Sequence, residues 1–567
     1  MIAPARPPQR VMAILQLTRI GDIVQTAQAF EGFREAHPDI RLIFIGRKQY
    51  AKPVEFLLNE NFDHVYYIDQ LRITRPPLNR ITLDDSILAA KEQIDAINSE
   101  NIDVLINLSF SKTSSYLAPL IKATHKLGHN RDDLDNLIIK DQWSQFVYSN
   151  VMGSTLAPYN LVDVYKRIAG YSLIPTKYLS NVREANTIDN IIVHPFASSV
   201  KKQWSATKWS NLLLNLLNEN PNITITMVGA EGDRPKAEQI LSASFLDRHS
   251  NRIINRTGKT RIKDVFESFN SKVLFIGHDS LISHLASYKS IPSLIISLGP
   301  VRPHETTSYG NQSIAVAPRL DCFPCPATAT CAGLECHKEI SEKIVSYLAK
   351  SKIINQELTT ENLQADLPDL LLSKVNIYRS NMLDGHGQYL EEISGNNPSA
   401  ENIMRTLFTI MWNFVISDID LDSSIPYVSE GVGQKLKPYF QGLASLYELN
   451  EFGITYSDYI LKESQSAAPS LENIREYGAK LNEIDKLQLL LTRSYPMLSP
   501  IINHFHIKKG FMPGKGVHEL AQSSLLTYHE ANNAVGALHD LLQNCFELNG
   551  ILPKAAQSSA EHLGPDN

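Results

Sequence analysis

The sequence predicts an α/β fold, with two successive lobes built on parallel sheets and then a mostly α-helical C-terminal domain. Three features lead there. Short apolar runs alternate with amphipathic helical stretches over roughly the first 170 residues. The alternation restarts near Ile191, after a polar stretch at 170–188 that contains Pro175 and reads as a linker. Beyond about residue 346 the strand-like runs give way to helical periodicity. Strand–helix alternation of this kind puts helices on both faces of a parallel sheet.

In the first lobe, Val11 to Leu17 is an apolar run that ends in the turn Arg19-Ile20-Gly21-Asp22. Ile23, Ala27, Phe30 and Phe33 then recur at helical spacing. Ile40 to Ile45, closed by Gly46, reads as a second strand, and Val65 to Ile68 and Val104 to Leu108 as further ones, with a helix over Ile87 to Ile97 between them. In the second lobe the strands are Ile191 to His194, Ile223 to Val228, Val273 to Ile276 and Ser293 to Ser297, with a helix from about Thr207 to Leu217. The last three strands stop at or just before glycine. Ligands bind beyond the carboxyl ends of such strands, which is where a site is expected. In the C-terminal region Ile403, Leu407, Ile410 and Phe414, and Ile484, Leu487 and Leu490, keep helical spacing, and Pro398-Ser399 and Pro469-Ser470 are helix-start signals. The expected boundaries are 10–170, 189–345 and 350–555, with a disordered tail over 556–567.

Composition narrows the function classes. A chain of 567 residues is too long for one core, and 43% hydrophobic with 20% charged residues is ordinary for a globular protein. A net charge of −6 without a long basic run gives a nucleic-acid partner no electrostatic support. No apolar run has the length of a membrane span, and the start MIAPARPPQR lacks the pattern of a signal peptide. The expected compartment is the cytoplasm, with peripheral contact at the inner face of the membrane left open.

Two α/β lobes in series imply a cleft between them, a favoured place for a ligand. Asp22, in a glycine turn at the end of the first strand, is suited to take a proton from an incoming hydroxyl, and equally suited to cap the helix that follows. His194-Pro195-Phe196-Ala197-Ser198-Ser199-Val200-Lys201-Lys202-Gln203-Trp204 opens a strand into a hydroxyl-rich turn followed by lysines, which can cradle phosphate or simply be a solvated loop. Gly277-His278-Asp279-Ser280-Leu281-Ile282-Ser283-His284 ends a strand and starts a helix; its bland reading is a cap and a packed histidine. Cys322, Cys325, Cys331 and Cys336 lie within fifteen residues, the first pair at C-x-x-C spacing, beside His337. They are candidate ligands of a structural zinc or iron, or reduced thiols of a surface loop. Cys545 stands alone.

This ordered set resembles glycosyltransferase family 9, the bacterial heptosyltransferases. The resemblance runs from about Val11 to Leu348. It is carried by Arg19 to Asp22; Asn107-Leu108-Ser109 with Leu127-Gly128; Ser198-Ser199 with Lys202-Gln203-Trp204 and Trp209; Thr257-Gly258-Lys259-Thr260; Asp279-Ser280 through His284 with Gly299-Pro300; and the cysteine-rich stretch before Ile340. It implies two Rossmann-like lobes in the GT-B arrangement and an inverting transfer with no metal required for catalysis. The implied donor is a nucleotide sugar of ADP-heptose type. By the same resemblance Asp22 matches the catalytic base and Lys202 the lysine on the leaving diphosphate. Ser198, Ser199, Glu231, Asp279, Ser280 and His284 match donor-binding positions, and Arg19 and Gly21 lie on the acceptor side. The family usually has glycine where this chain has Leu281, which points to a donor that sits differently or carries a different sugar.

The implied acceptor is a glycan hydroxyl in lipopolysaccharide core or surface glycan assembly. A protein acceptor is the nearest alternative, and a non-catalytic scaffold on a decayed transferase fold is a third reading.

Overall fold

The computed structural model describes residues 10–74, 82–151, 153, 156–170, 188–311, 313–326, 329–331, 333–383, 386–395, 398–419 and 426–551. The linker expected at 170–188 and the tail at 556–567 lie almost wholly or wholly outside the described residues. The chain divides into two units: residues 1–148 with 159–395, and residues 149–158 with 396–567.

β1 (Arg10–Gln16) is central in the first sheet, and its residues Ala13, Ile14 and Leu15 have no exposed surface. A strand buried on both faces needs a continuous apolar run, which is what this segment supplies. It pairs in parallel with β2 (Ile40–Arg47), which pairs with β3 (His64–Ile68). On its other side come β4 (Ile102–Asn107) and β5 (Ala123–Gly128), giving the order β3-β2-β1-β4-β5. A small antiparallel ribbon follows, β6 (Asn130–Arg131) with β7 (Leu137–Ile138). Helix α1 (Ile20–Ala29) leaves β1, and its Ile23, Ala27 and the following Phe30 and Phe33 are buried as the spacing predicts. α2 (Leu161–Ile168) ends the first lobe.

The second sheet begins with β8 (Asn190–His194), β9 (Thr224–Met227), β10 (Ile253–Asn255), β11 (Val273–His278), β12 (Ser293–Ile296) and β13 (Ser313–Pro318), all parallel. Helix α3 (Ala206–Glu219) follows β8, and α4 (Leu281–Tyr288) follows β11. The sequence reading begins its helical domain at 350, but two antiparallel strands, β14 (Val375–Leu383) and β15 (Gly387–Glu392), extend this sheet beside β13. Both strands are rich in polar residues, and neither contains the apolar run that marks the interior strands. Val375 and Ile377 still enter the second lobe's core, with Leu358, Leu363 and Leu372 from the preceding segment.

Buried contacts join the lobes. Ser287 Oγ donates to Gln28 Oε1 at 3.2 Å, and Asn61 Nδ2 donates to the Tyr288 hydroxyl at 2.7 Å. Fully buried Asp163 on α2 accepts the Tyr309 hydroxyl at 2.5 Å and the Gln388 N–H of β15 at 2.7 Å.

The described part of the second unit is helical, with long helices at Ala400–Ser417, Pro438–Gln465, Leu471–Ser494, Ser499–Gly510 and Val517–Leu548. Ser399 and Ser470 cap two of these starts, each accepting a backbone N–H three residues on. The core holds Ile460, Leu481, Ile484, Phe505 and Tyr528. Gly453 is required there, because a Cβ would lie 2.2 Å from the Tyr528 ring. Phe414, Leu487 and Leu490, which share the helical spacing of buried Ile403 and Ile484, are exposed: their helices turn only part of the apolar stripe inward.

Candidate active site

The first lobe places its functional turn through a buried polar clamp. Ser109 Oγ, just past β4, accepts the Leu17 N–H at 2.8 Å, and Asn107 Oδ1 accepts the Ser109 N–H at 3.1 Å. Gly128 has φ +85°, and a Cβ there would lie 2.1 Å from the Asn107 carbonyl, so only glycine lets β5 close on this clamp. The chain then turns into α1, and the Asp22 carboxylate accepts the Arg19 N–H at 3.1 Å. Asp22 therefore satisfies a helix-start donor and lines a cleft at the same time.

The cleft encloses about 790 Å³. The first lobe supplies Leu17 to Asp22, Gln25, Arg47, Tyr50, Ser111 and Thr113, and the second supplies His194, Phe196, Ala197, Ser198, Lys202, Asp233, Asp279, Ser280, Leu281, His284 and Thr306. The two walls touch at Gly21, where a Cβ would lie 3.1 Å from His284 Cδ2. A side chain at residue 21 would have to displace that imidazole.

On the second wall Lys202 Nζ donates to Asp279 Oδ2 at 3.1 Å. The Asp279 side chain is 9% exposed and that of Lys202 18%. Asp279 Oδ1 has no hydrogen-bond partner among the described residues, and His284 Nε2 stands 3.6 Å from it. Burial pushes the His284 imidazole below its ordinary range, partly offset by the Asp279 and Asp22 carboxylates. Ser280 Oγ lies 3.1 Å from His194 Nδ1, and burial brings His194 down to about 4, so its ring is neutral near pH 7. Burial also raises the Tyr165 phenol, with the Asp22 carboxylate adding to the rise, so this hydroxyl keeps its proton.

Of the residues singled out in the sequence, Arg19, Gly21, Asp22, Ser198, Lys202, Asp279, Ser280 and His284 share this cleft. Leu281, the departure from the family pattern, lines it too. Ser199 and Glu231 are not among the lining residues. Ser199 Oγ caps the turn Val200–Lys202 by accepting the Lys201 N–H at 3.3 Å, and Glu231 pairs with Arg234 at 3.1 Å on the surface. Sequence reasoning passed over Arg47, Tyr50, Ser111, Thr113 and Asp233. Arg47 closes β2, and its guanidinium carbon lies 5.2 Å from the Tyr50 ring centroid. The available signal was position alone, at the carboxyl end of a strand.

The four clustered cysteines are free thiols: Cys322 and Cys331 are exposed, Cys325 is half-buried and Cys336 is buried. Burial raises the Cys336 thiol, and the neighbouring Cys325, Cys331 and Cys322 add to the rise, so the four share one neighbourhood. Among the described residues, no group of three or more His, Cys, Asp or Glu side chains is gathered to hold a metal ion.

Two parallel-sheet lobes facing a cleft with a carboxylate on one wall, and a lysine and a strand-to-helix turn on the other, define the class of two-lobed GT-B-like transferases. Residues 92–333 match the family model described as "Glycosyltransferase family 9 (heptosyltransferase)". That match spans less than half of the chain, and the sequence beyond it includes an additional C-terminal helical region. No curated protein matches the sequence. Among solved structures, a family 9 glycosyl transferase from Veillonella parvula DSM 2008 is similar at 16% identity with a TM-score of 0.45, covering 62% of this chain and 99% of its own. The E. coli heptosyltransferase WaaC with ADP is similar at 15% identity and 0.43, covering 60% and 99%. The dodecameric iron-containing heptosyltransferase TibC of enterotoxigenic E. coli, in complex with ADP-D-β-D-heptose, is similar at 13% identity and 0.35, covering 62% and 78%. Among the described residues no helix is long and apolar enough to cross a membrane.

Proposed function

We propose that this chain transfers a sugar from a nucleoside-diphosphate donor to an acceptor hydroxyl by a single inverting displacement, without a catalytic metal. The observation that carries the reading is that Asp22 faces the same cleft as Lys202 and Asp279, from the opposite wall. The acceptor oxygen attacks the anomeric carbon as Asp22 takes its proton. The bond from that carbon to the diphosphate oxygen breaks, and Lys202 exchanges Asp279 for the phosphate and neutralises the developing charge. Asp279, released from the lysine, accepts hydrogen bonds from donor-sugar hydroxyls together with neutral His284. Ser198 and Ser280 add hydroxyl donors near the phosphates, and Arg19 with Gly21 borders the acceptor side. A heptose or similar sugar on ADP is the donor that the match to the family 9 model favours. The acceptor is a hydroxyl of a surface glycan, lipopolysaccharide core included, or of a protein. The experiment is a panel of nucleotide sugars with released nucleoside diphosphate read by mass spectrometry, run on wild type and Lys202→Ala. Release from one donor class by the wild type, and its loss in the variant, is expected. Release that Lys202→Ala leaves unchanged would overturn the placement.

We further propose that Cys322, Cys325, Cys331 and Cys336 hold one structural zinc or iron. Four cysteine sulfurs in one neighbourhood, which would lose their protons on binding, are a donor set that suits either metal. The side chains are not gathered into a ligand group as they stand, so binding would draw the loop together. No catalytic step passes through this site.

A further inference from the structure

The residue before Asp279 is a histidine that the chemistry above leaves unused. His278 ends β11 with no exposed surface. Both ring nitrogens are engaged. Nε2 accepts the backbone N–H of Trp204 at 3.1 Å and the indole N–H of Trp209 at 3.3 Å. Nδ1 lies 3.2 Å from the Ile296 carbonyl, to which it must donate. Only the neutral ring with its proton on Nδ1 satisfies all three partners. Burial keeps the ring in that form, holding it down to about 3.

This arrangement ties the lysine-bearing loop to the strand that bears its partner. Trp204 lies two residues beyond Lys202, and His278 directly precedes Asp279. The loop is thus held to the end of β11 twice: once through the Trp204 main chain, and once through the Lys202–Asp279 ion pair at 3.1 Å. The second tie is the one a phosphate would break, because it competes for the same ammonium. The first is made by main chain and a buried ring that does not line the cleft. The loop's further ties include Lys236 Nζ donating to Gln203 Oε1, Lys201 Nζ donating to the Ala329 carbonyl, and His337 Nε2 at 2.9 Å from the Lys201 carbonyl.

We propose that His278 is a positioning residue for the donor diphosphate: through Trp204 it fixes the backbone that carries Lys202, so that the lysine passes from Asp279 to phosphate without the loop moving. The proposal rests on the reading that the diphosphate sits at Lys202.

The test is calorimetric titration of the full chain with ADP, GDP, UDP and CDP, taking the tightest binder as probe. His278→Gln reaches the Nε2 position with an amide that can accept from Trp204, whereas His278→Asn is too short to do so. His278→Asn is expected to weaken the probe by about tenfold or more, and His278→Gln to restore it to within about twofold. Trp209→Phe removes the indole donor and leaves a small core cavity, with the Trp204 main-chain tie intact, and is expected to stay within about twofold of wild type in probe affinity. In the transfer reaction the donor KM should rise in His278→Asn while the acceptor KM is unchanged. Equal loss in His278→Asn, His278→Gln and Trp209→Phe, or no loss in any of them, would overturn the proposal. Lys202→Ala separates the two levels: if it leaves probe affinity intact, or if wild type binds none of the four nucleotides, the placement of the diphosphate fails and the proposal with it. Amide hydrogen exchange on wild type needs no variant. The Trp204 amide should be protected equally with and without the probe, and rapid exchange in the free protein would refute the tie.

Discussion

Asp22 has two roles in this structure that one substitution separates. Its carboxylate accepts the Arg19 N–H at the start of α1, and it also faces the cleft. Asn keeps an acceptor oxygen of the same reach, so Asp22→Asn preserves that hydrogen bond. What it loses structurally is a negative charge in the first turn of a helix, worth about 0.3–1 kcal/mol. The melting temperature should therefore fall only slightly, and nucleotide affinity should be almost unchanged, because the proposed diphosphate site is on the other wall. Turnover should fall much further. Loss of a general base costs about 10²–10⁴-fold, or roughly 2.7–5.5 kcal/mol of barrier. The gap between a cost near 1 kcal/mol in folding and several in catalysis is what distinguishes a base from a cap. Tyr165 cannot take over, since burial and the nearby carboxylate keep its phenol protonated. The assay is acceptor-dependent release of nucleoside diphosphate under saturating donor, beside a thermal melt of each variant. Near-normal turnover in Asp22→Asn, with Asp22→Ala losing only stability, would reduce Asp22 to a cap and refute the mechanism.

Three further outcomes are expected. Burial lowers His194 from 6.5 to about 4 and His278 from 6.5 to about 3, so the unfolded chain takes up protons first as the pH falls. Their contribution to stability is complete above pH 6.5 and is lost on descending toward pH 4 for His194 and pH 3 for His278, by about 1.4 kcal/mol per pH unit for each titrating ring; a melting temperature that stays flat from pH 6.5 to 4.5 would contradict the burial. Elemental analysis of protein purified without chelator should find about one zinc or iron per chain, and Cys322→Ser should release it; stable, active protein without either metal would leave four ordinary thiols. A chain ending at residue 350 should aggregate, because it loses β14, β15 and the core residues Val375 and Ile377, whereas one ending at Gly395 should fold and keep nucleotide binding. We expect the latter to fail in transfer to the natural acceptor; full-rate transfer would give the helical region some other job.

The sequence was most legible where one local pattern determines both fold and site. A β-strand buried on both faces must be apolar throughout, and the loop at its carboxyl end faces the cleft. That is why the segments ending at Arg19–Asp22, His194–Lys202 and Asp279–His284 could be found without coordinates. Legibility stops where a residue's role depends on a partner far away in the chain. β14 and β15 have no apolar run, because they sit beyond the parallel strands, and their polar sequences read as strands only beside β13. Ser199 and Glu231 have the right residue types in the right loops. Yet one hydroxyl turns back onto its own main chain and one carboxylate pairs on the surface with a neighbour three residues on, and sequence cannot say which way a loop side chain points. Arg47 is a cleft residue only because β2 lies next to β1, and nothing in its own segment separates it from a surface arginine. His278 is the extreme case. It stands in the quoted motif beside Asp279, but its partners Trp204 and Trp209 lie 74 and 69 residues away. Short motifs therefore locate the groups that meet the substrate, while the groups that hold those in place become visible only when the strands are laid side by side.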